Sequence, residues 1–501
     1  MSNVDEKLEI LTKDLRKSVG FFQNLRSSSE GAVRIYTHLD ADGISAGAIL
    51  GKSLYRASIP FQITVLRQLE KEEIEKIERT KNAHNNFIIF SDFGSGQYLE
   101  LKQKLSSSFL ILDHHLPQGI SEKEQEEDLI SMHKNTIPWH INPYFYGIDG
   151  SIEISGSGMA YLFSKAMNDY NLDLAGIALI GANGDIQNQG ENQSFIGINE
   201  RIVKDAIQAD LIDILDDLNY SSIRPLNQAL AYSSEINLPG LSGDPNKCLK
   251  FLKRLGILME KPDGNIKTLN DLNQEEKQKL TSAIIEFATL KLNIQPSEII
   301  NKLIVNRYVL KNEIVGSDLY DINEFSNLLN ACGRTNNASI GIAIAMGDRK
   351  EAYQSAKENL KNYKLSLMKA LRWIKEEDVI QEKEYIQYFY GEDKIPESIV
   401  GTVSSMLIFD ESEFIDKEKP IFGYAKRIDE DVYKVSARAH ESLVEKGVNL
   451  SKAIRKALED SELIALGGGH PPAAGTKVPI NKIDEFLSNC DNVIKQQLNS
   501  V

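Results

Sequence analysis

The feature that most constrains this chain is an alternation. From about residue 33, short and nearly continuous apolar runs give way repeatedly to helical patterns. "VRIYTHLD" is β-rich and precedes the small-residue helix pattern "GISAGAILGKSLYRAS". "FQITVL" leads into the charged pattern "EKEEIEKIERTK", followed by "NFIIFSDFG", "LKQKL", "SFLILDHH" and "WHINP". Strands that are apolar throughout are buried on both faces, which indicates a parallel sheet covered by helices. The expected class is therefore α/β, and in such sheets chemistry gathers beyond the carboxyl ends of the strands.

A chain of 501 residues exceeds one ordinary core. The pattern divides it into a parallel-sheet domain over 1–235, a helical segment over 236–310 and a smaller α/β domain over 311–501. The opening stretch "MSNVDEKLEILTKDLRKSVGFFQNL" sets Val4, Leu8, Leu11, Leu15, Val19 and Phe22 on one helical face and reads as an amphipathic helix rather than a leader. Residues 156–240 read as mostly helical. The chain then turns polar and rich in Gly and Pro before the helical "NQEEKQKLTSAIIEFATLKL". From about 303, β-type runs return as "LIVNRYVL", "SIGIAIAMGD", "KEYIQYFYG", "KPIFGYAKRI" and "VYKVSARAH". The glycine-rich "ALGGGHPPAAG" and an amphipathic helix close the chain.

Bulk properties exclude some functions. No run of about eighteen apolar residues occurs, so no membrane partner is expected. With 57 basic and 72 acidic residues the formal charge is −15, which argues against a general duplex-coating protein. A local groove with bound cations still permits a nuclease. Cys248, Cys332 and Cys490 are widely spaced without a zinc pattern, which favours a reducing cytoplasm.

Acids and histidines collect where strands end. "THLDADG" places His38, Asp40 and Asp42 at alternating positions, which project to one side if the strand persists. A helix cap at Asp42 would need only one acid. "NFIIFSDFG" ends at Asp92, "FLILDHH" at Asp113, His114 and His115, and "IGANGDIQ" offers Asp185. Several carboxylates in one cleft cannot all remain ionised without compensation, and divalent cations are the simplest compensation. Mixed carboxylate and imidazole donors suit Mn²⁺ best, with Mg²⁺ or Zn²⁺ as alternatives. Six side chains are too many for one open catalytic ion and fit two ions sharing a carboxylate, an arrangement that activates water for attack on a phosphoryl group.

These segments, in this order, resemble the DHH phosphoesterase superfamily. The triplet is Asp113-His114-His115, with "HLDADG", "SDFG" and "GD" as the other motifs. "ALGGGHPPAAG" and "KVSARAH" resemble the DHH-associated domain. "EFSNLLNACGR" and "IPESIVGTVSSML" are similar to stretches of RecJ-type members, above all the archaeal GINS-associated nucleases. The resemblance implies a DHH catalytic domain followed by a DHH-associated C-terminal domain. It implies that His38, Asp40, Asp42, Asp92, His114 and Asp185 are metal ligands, with Asp92 as the bridge. Asp113 would support the site and His115 would sit against the scissile phosphate. The first motif departs from many bacterial members, which carry Asp where this chain has His38. In the second domain Ser436, Arg438, His470 and the backbone of Gly467, Gly468 and Gly469 would hold the nucleotide.

The activity implied is metal-dependent exonucleolytic release of mononucleotides from single-stranded DNA or RNA, in replication or repair. Two other functions stand beside it. One is a phosphodiesterase for cyclic dinucleotides or short oligonucleotides; the helical segment lengthens this chain and favours a polymer instead. The other is a replication scaffold docking on GINS and the replicative helicase. Such scaffolds often lose metal ligands, whereas this chain carries the full set.

Overall fold

The computed structural model describes residues 3–27, 31–80, 87–117, 140–233, 236, 238–292, 295–408, 414–427, 430–463 and 467–499. The chain forms two compact units, residues 1–357 and 358–501. No helix among the described residues is long and apolar enough to cross a membrane.

In the first unit five parallel strands lie in the order β2-β1-β3-β4-β5. They are β1 (Val33–His38), β2 (Phe61–Leu66), β3 (Phe87–Ser91), β4 (Ser108–Leu112) and β5 (His140–Ile141). Every residue of β3 is buried, as its unbroken apolar run requires. Thr37 pairs with Ser91 and Ser91 with Leu112, so β1, β3 and β4 end level with one another. The winding reverses between β1 and β3, because β2 lies on one side of β1 and all later strands on the other. Loops diverge at such a switch point and leave a crevice outside the strand ends.

Helices cover the sheet. Helix α1 (Asn3–Ser27) buries Leu11, Leu15, Val19 and Phe22, the face its spacing marks out. Helix α2 (Ala41–Arg56), built from small and aliphatic residues, is buried over most of its length. Next come α3 (Lys71–Arg79), α4 (Tyr98–Lys104), α5 (Gly156–Met167), α6 (Ala175–Gly184) and α7 (Gly197–Gln208).

Three segments differ from the sequence expectation. Within the stretch read as helical, Ile212–Leu218 is a strand, β6, paired antiparallel with β7 (Ile304–Leu310). Its partner lies nearly ninety residues on, so local patterning carries little trace of the pairing. Between them sit helices with their own core, including Leu230, Leu252, Leu280, Ile284 and Leu303. The β-type run "SIGIAIAMGD" is instead a helix, Ala338–Met346. A short, wholly apolar run does not separate strand from buried helix by periodicity. The turn entering α2 packs so closely on helix Ile322–Arg334 that a Cβ at Gly333 would lie 1.7 Å from the Leu39 carbonyl oxygen. Asn330 accepts the Ala41 amide at 2.9 Å. These contacts hold residues 311–357, expected with the C-terminal domain, in the first unit.

The second unit is a six-stranded mixed sheet in the order β12-β13-β11-β10-β9-β8. The strands are β8 (Gln381–Glu382), β9 (Gln387–Tyr390), β10 (Ile421–Lys426), β11 (Val432–Arg438), β12 (Gly468–His470) and β13 (Ala473–Pro479). Only β9 and β10 pair in parallel. Helices Leu450–Asp460 and Ile483–Asn499 pack on it through Ile454, Leu458, Phe486 and Leu487.

Candidate metal centre

At the switch point β1 delivers His38, β3 delivers Asp92 and β4 delivers Asp113, His114 and His115. Strand alternation is not what gathers the first motif. β1 stops at His38, Asp40 caps α2 by accepting the Gly43 amide at 3.0 Å, and Asp42 lies in the helix's first turn. The cap is therefore Asp40 rather than Asp42. Asp42 is fully buried and accepts the amides of Gly156 at 2.6 Å and Ser157 at 3.0 Å. Those amides open α5, whose positive end favours a carboxylate there.

Asp92 occupies a left-handed backbone conformation, φ 64°, as β3 ends, and its amide still reaches the Leu112 carbonyl at 3.0 Å. Its carboxylate stands between two histidines. His38 Nδ1 lies 3.6 Å from Asp92 Oδ2 and 2.6 Å from Asp40 Oδ2. His114 Nε2 lies 3.1 Å from Asp92 Oδ1, 3.3 Å from Asp185 Oδ2 and 3.7 Å from Asp42 Oδ2. Three donor groups result, His38–Asp40–Asp92, Asp42–His114–Asp185 and Asp92–Asp113–His114–His115, and the first two flank Asp92 with the bare carboxylates. Asp185 reaches its set as the residue that ends α6.

The electrostatics fit a site that binds positive charge. Burial, and then Asp92 and Asp185, raise Asp42 well above the carboxylate range. Asp185 is pushed up to about 6, by burial and by Asp40 and Asp92 against the pull of His114. Burial alone would lower His38 and His114, but the surrounding carboxylates outweigh it and hold both well above the usual imidazole range. Asp92 is driven the other way, burial being overcome by His114 and His38. Both Asp92 oxygens, His38 Nδ1 and His114 Nε2 are buried and pair only with one another and with neighbouring carboxylates, without a well-directed hydrogen bond. Buried polar atoms are rarely left so, and four facing one another fit the donor set of a cation site.

His114 is oriented for ligation. Its Nδ1–H donates to the Gly150 carbonyl at 2.7 Å, which leaves Nε2 directed at the acids. The same carbonyl accepts Gln187 Nε2 at 2.9 Å, and Gln187 Oε1 accepts Asn199 Nδ2 at 2.7 Å. Asp113 takes no place among the bare carboxylates. Its Oδ1 accepts the amides of His114 (2.8 Å) and His115 (3.1 Å) and His115 Nδ1–H (2.8 Å), and its Oδ2 accepts the Ser95 amide (2.9 Å). Burial opposes ionisation of Asp113, but His115, His114 and the Ser95 amide hold it down at about 2. The His115 side chain is 56% exposed, with Nε2 left for an outside partner.

Sequence reading missed the supports: Ser95, His140, Asn142, Gln187 and Asn199. Asn142 Nδ2 donates to Ser95 Oγ and to the His115 carbonyl, both at 2.8 Å. Ser95 Oγ also meets His140 Nε2 at 3.0 Å. Ser95, His140 and Asn142 lie in turns or at a strand end, Gln187 follows the close of α6 and Asn199 sits in the first turn of α7, so each is a lone polar residue with no local pattern to mark it.

In the second unit, register brings most of the proposed nucleotide-binding residues into two cross-strand rows. Gly468, Gly475 and Ser436 form one, and His470, Ala473 and Arg438 the other. Ser436 and Arg438 both lie against Gly401, at the start of helix Val400–Ile408, and Arg438 Nε donates to Ser405 Oγ at 2.7 Å. Gly469 sits at φ 137°, where a Cβ would lie 2.3 Å from the Ala473 carbonyl oxygen. Gly467 packs on Ile454 and Leu458 and does not join the rows.

Three family patterns lie along the chain in order. The DHH family N-terminal domain matches residues 32–182, the DHH-CID domain 221–304 and the DHHA1 domain 386–496. The uncharacterized protein MJ0831 of Methanocaldococcus jannaschii is 33% identical over 494 residues, covering 98% of each chain. Among solved structures, Cdc45 from Entamoeba histolytica superposes with a TM-score of 0.63 at 11% identity, over 96% of this chain and 99% of that one. RecJ from Thermus thermophilus in complex with Mn²⁺ gives 0.54 at 15% identity, over 97% of this chain, which spans only 55% of that protein. Those identities speak for the fold alone. With four motif segments meeting at one switch point and the three domain patterns following in sequence, the chain belongs to the DHH family and has the fold of RecJ and Cdc45.

Proposed function

We propose that this phosphoesterase is an exonuclease that hydrolyses single-stranded DNA or RNA to mononucleotides in replication or repair, in a reducing cytoplasm. The observation that carries it is the double donor set around Asp92, His38–Asp40 on one side and Asp42–His114–Asp185 on the other. Two divalent ions held there, Mn²⁺ first and Mg²⁺ or Zn²⁺ as alternatives, would supply an activated water and neutralise the phosphoryl charge. The chain's own groups do the rest. Asp113 fixes His115 through Nδ1, so that Nε2 can donate a hydrogen bond to the phosphodiester or a proton to the leaving oxygen. Ser436, Arg438, His470 and the backbone of Gly467, Gly468 and Gly469 are proposed to bind the nucleotide.

The cysteines agree with this setting, since Cys248, Cys332 and Cys490 are free and buried. A second reading, a scaffold for GINS and other replisome proteins, is supported by the likeness to the Cdc45 fold over 96% of the chain. The full ligand set favours the enzyme. The test is digestion of end-labelled single-stranded DNA and RNA with Mn²⁺ by wild type and Asp92→Asn, a residue that also tolerates a left-handed backbone. Mononucleotide release that needs metal and falls at least about a thousandfold in the variant is expected. Equal, metal-independent behaviour of the two proteins overturns the enzyme.

A further inference from the structure

Past the end of α6 the backbone turns left-handed at Ile186, φ 57°. The Ile186 amide bonds the Asn183 carbonyl at 3.1 Å, and the Gln187 amide reaches back to Ala182 at 3.0 Å. This pair of bonds closes a helix around one left-handed residue, usually Gly and sometimes Asn. A Cβ crowds the backbone there, and a β-branched side chain fits worst. Among the ten described non-glycine residues with positive φ, Ile186 is the β-branched one. No burial offsets the strain, because Ile186 is 70% exposed. Strain of this kind persists where neighbours over-determine the conformation, and it collects at functional sites.

The neighbours here are explicit. Asp185 directs its carboxylate to within 3.3 Å of His114 Nε2. Gln187 is fully buried, and its side chain bonds Gly150, Ile154 and Asn199. The turn sends residues 185 and 187 inward and leaves an isoleucine outside, beside a carboxylate of the metal centre. A glycine would close the helix with less strain. What the isoleucine adds is an apolar surface on the solvent side.

We propose that Ile186 is a substrate-contacting residue that packs on the apolar face of the sugar or base whose phosphate meets the acidic cluster. It thereby favours nucleotidyl over simple alkyl phosphodiesters. The inference rests on the phosphodiesterase reading above.

Wild type, Ile186→Gly, Ile186→Asn and Ile186→Leu are compared with Mn²⁺ on two esters, thymidine 5′-monophosphate p-nitrophenyl ester and methyl p-nitrophenyl phosphate. Glycine and asparagine relieve the turn, so their melting temperatures rise by about 1–3 °C. Their kcat/KM on the thymidine ester falls roughly tenfold, mostly through KM, as loss of one apolar contact predicts. On the methyl ester it changes by less than about twofold. Leucine keeps the preference for the thymidine ester. Parallel loss on both esters, no loss on either, or a lowered melting temperature in the glycine and asparagine variants overturns the proposal. Wild type inert toward both esters overturns the phosphodiesterase reading and this inference with it.

Discussion

The rings of His114 and His115 lie 4.3 Å apart, yet they answer to different acceptors. His114 Nδ1 is held by the Gly150 carbonyl and His115 Nδ1 by the Asp113 carboxylate. The first ring is 5% exposed among bare carboxylates, and the second is 56% exposed with its far nitrogen free of the cluster. Adjacent histidines thus stand in different surroundings, one facing the carboxylate cluster and one facing solvent.

Substitution should tell the two rings apart. His114→Ala is expected to lower Mn²⁺ affinity sharply, read by calorimetric titration, with turnover lost as a result. His115→Ala should bind Mn²⁺ as wild type does and lose roughly a hundredfold in kcat, the usual worth of a positioned acid. Equal loss of metal by both proteins would show that the two rings share one role.

The meeting of these residues was legible because apolar runs stop at charge. Phe87–Ser91 ends at Asp92 and Ser108–Leu112 at Asp113, and buried parallel strands must present their ends at one edge. Asp42 was legible as an acid but not as a buried one, since its partners, the amides of Gly156 and Ser157, lie 114 and 115 residues away. Gln187 and Asn142 were illegible for the same reason. A lone amide acquires meaning only from tertiary neighbours, and no local period announces it. The helix Ala338–Met346 was missed because a run that is apolar on every side has no face to reveal.

Gln187 is expected to act on the metal through His114. Gln187→Leu removes the donor that shares the Gly150 carbonyl and orphans Asn199 Nδ2 in a buried site. Stability should fall by roughly 1–3 kcal/mol and Mn²⁺ affinity by roughly tenfold or more. Pairing it with Asn199→Leu removes both halves of the buried bond and should recover part of the stability but none of the affinity. Simple additivity in denaturation and titration would contradict the shared network.

His140 gives the fold a pH limit. It stacks on Tyr98 at 4.8 Å, and burial lowers it from 6.5 to about 4. An unfolded chain takes up this proton first, so the stabilisation is complete above about pH 6.5 and is lost as pH falls toward 4. The loss by pH 4.5 comes to about 2–3 kcal/mol. His140→Phe keeps an aromatic ring between Tyr98 and Phe145 and removes the titration. Urea unfolding of metal-free protein at pH 7 and pH 4.5 should therefore show a smaller drop for the variant than for wild type. Parallel drops would mean that other groups set the acid limit.

Steric access to Asp92 is an exacting requirement of the centre, and it can be tested without touching a ligand atom. A Cβ at Gly156 would stand 2.5 Å from Asp92 Oδ1 and 2.9 Å from Asp92 Cα, closer than such contacts are ever found. The first turn of α5 therefore reaches Asp42 and Asp92 only because it begins with glycine. Gly156→Ala must displace the Asp92 carboxylate, and Mn²⁺ affinity should fall at least about tenfold, with kcat falling alongside it. Gly20 offers the matched control, since it lies inside α1 and a methyl group there would meet no neighbouring atom within 4 Å. Gly20→Ala should leave Mn²⁺ binding unchanged and add about 0.5–1 kcal/mol of stability from helix propensity. Equal metal affinity in the two alanine variants would show that the carboxylate has room to move and that the close approach of α5 does not set the geometry of the site.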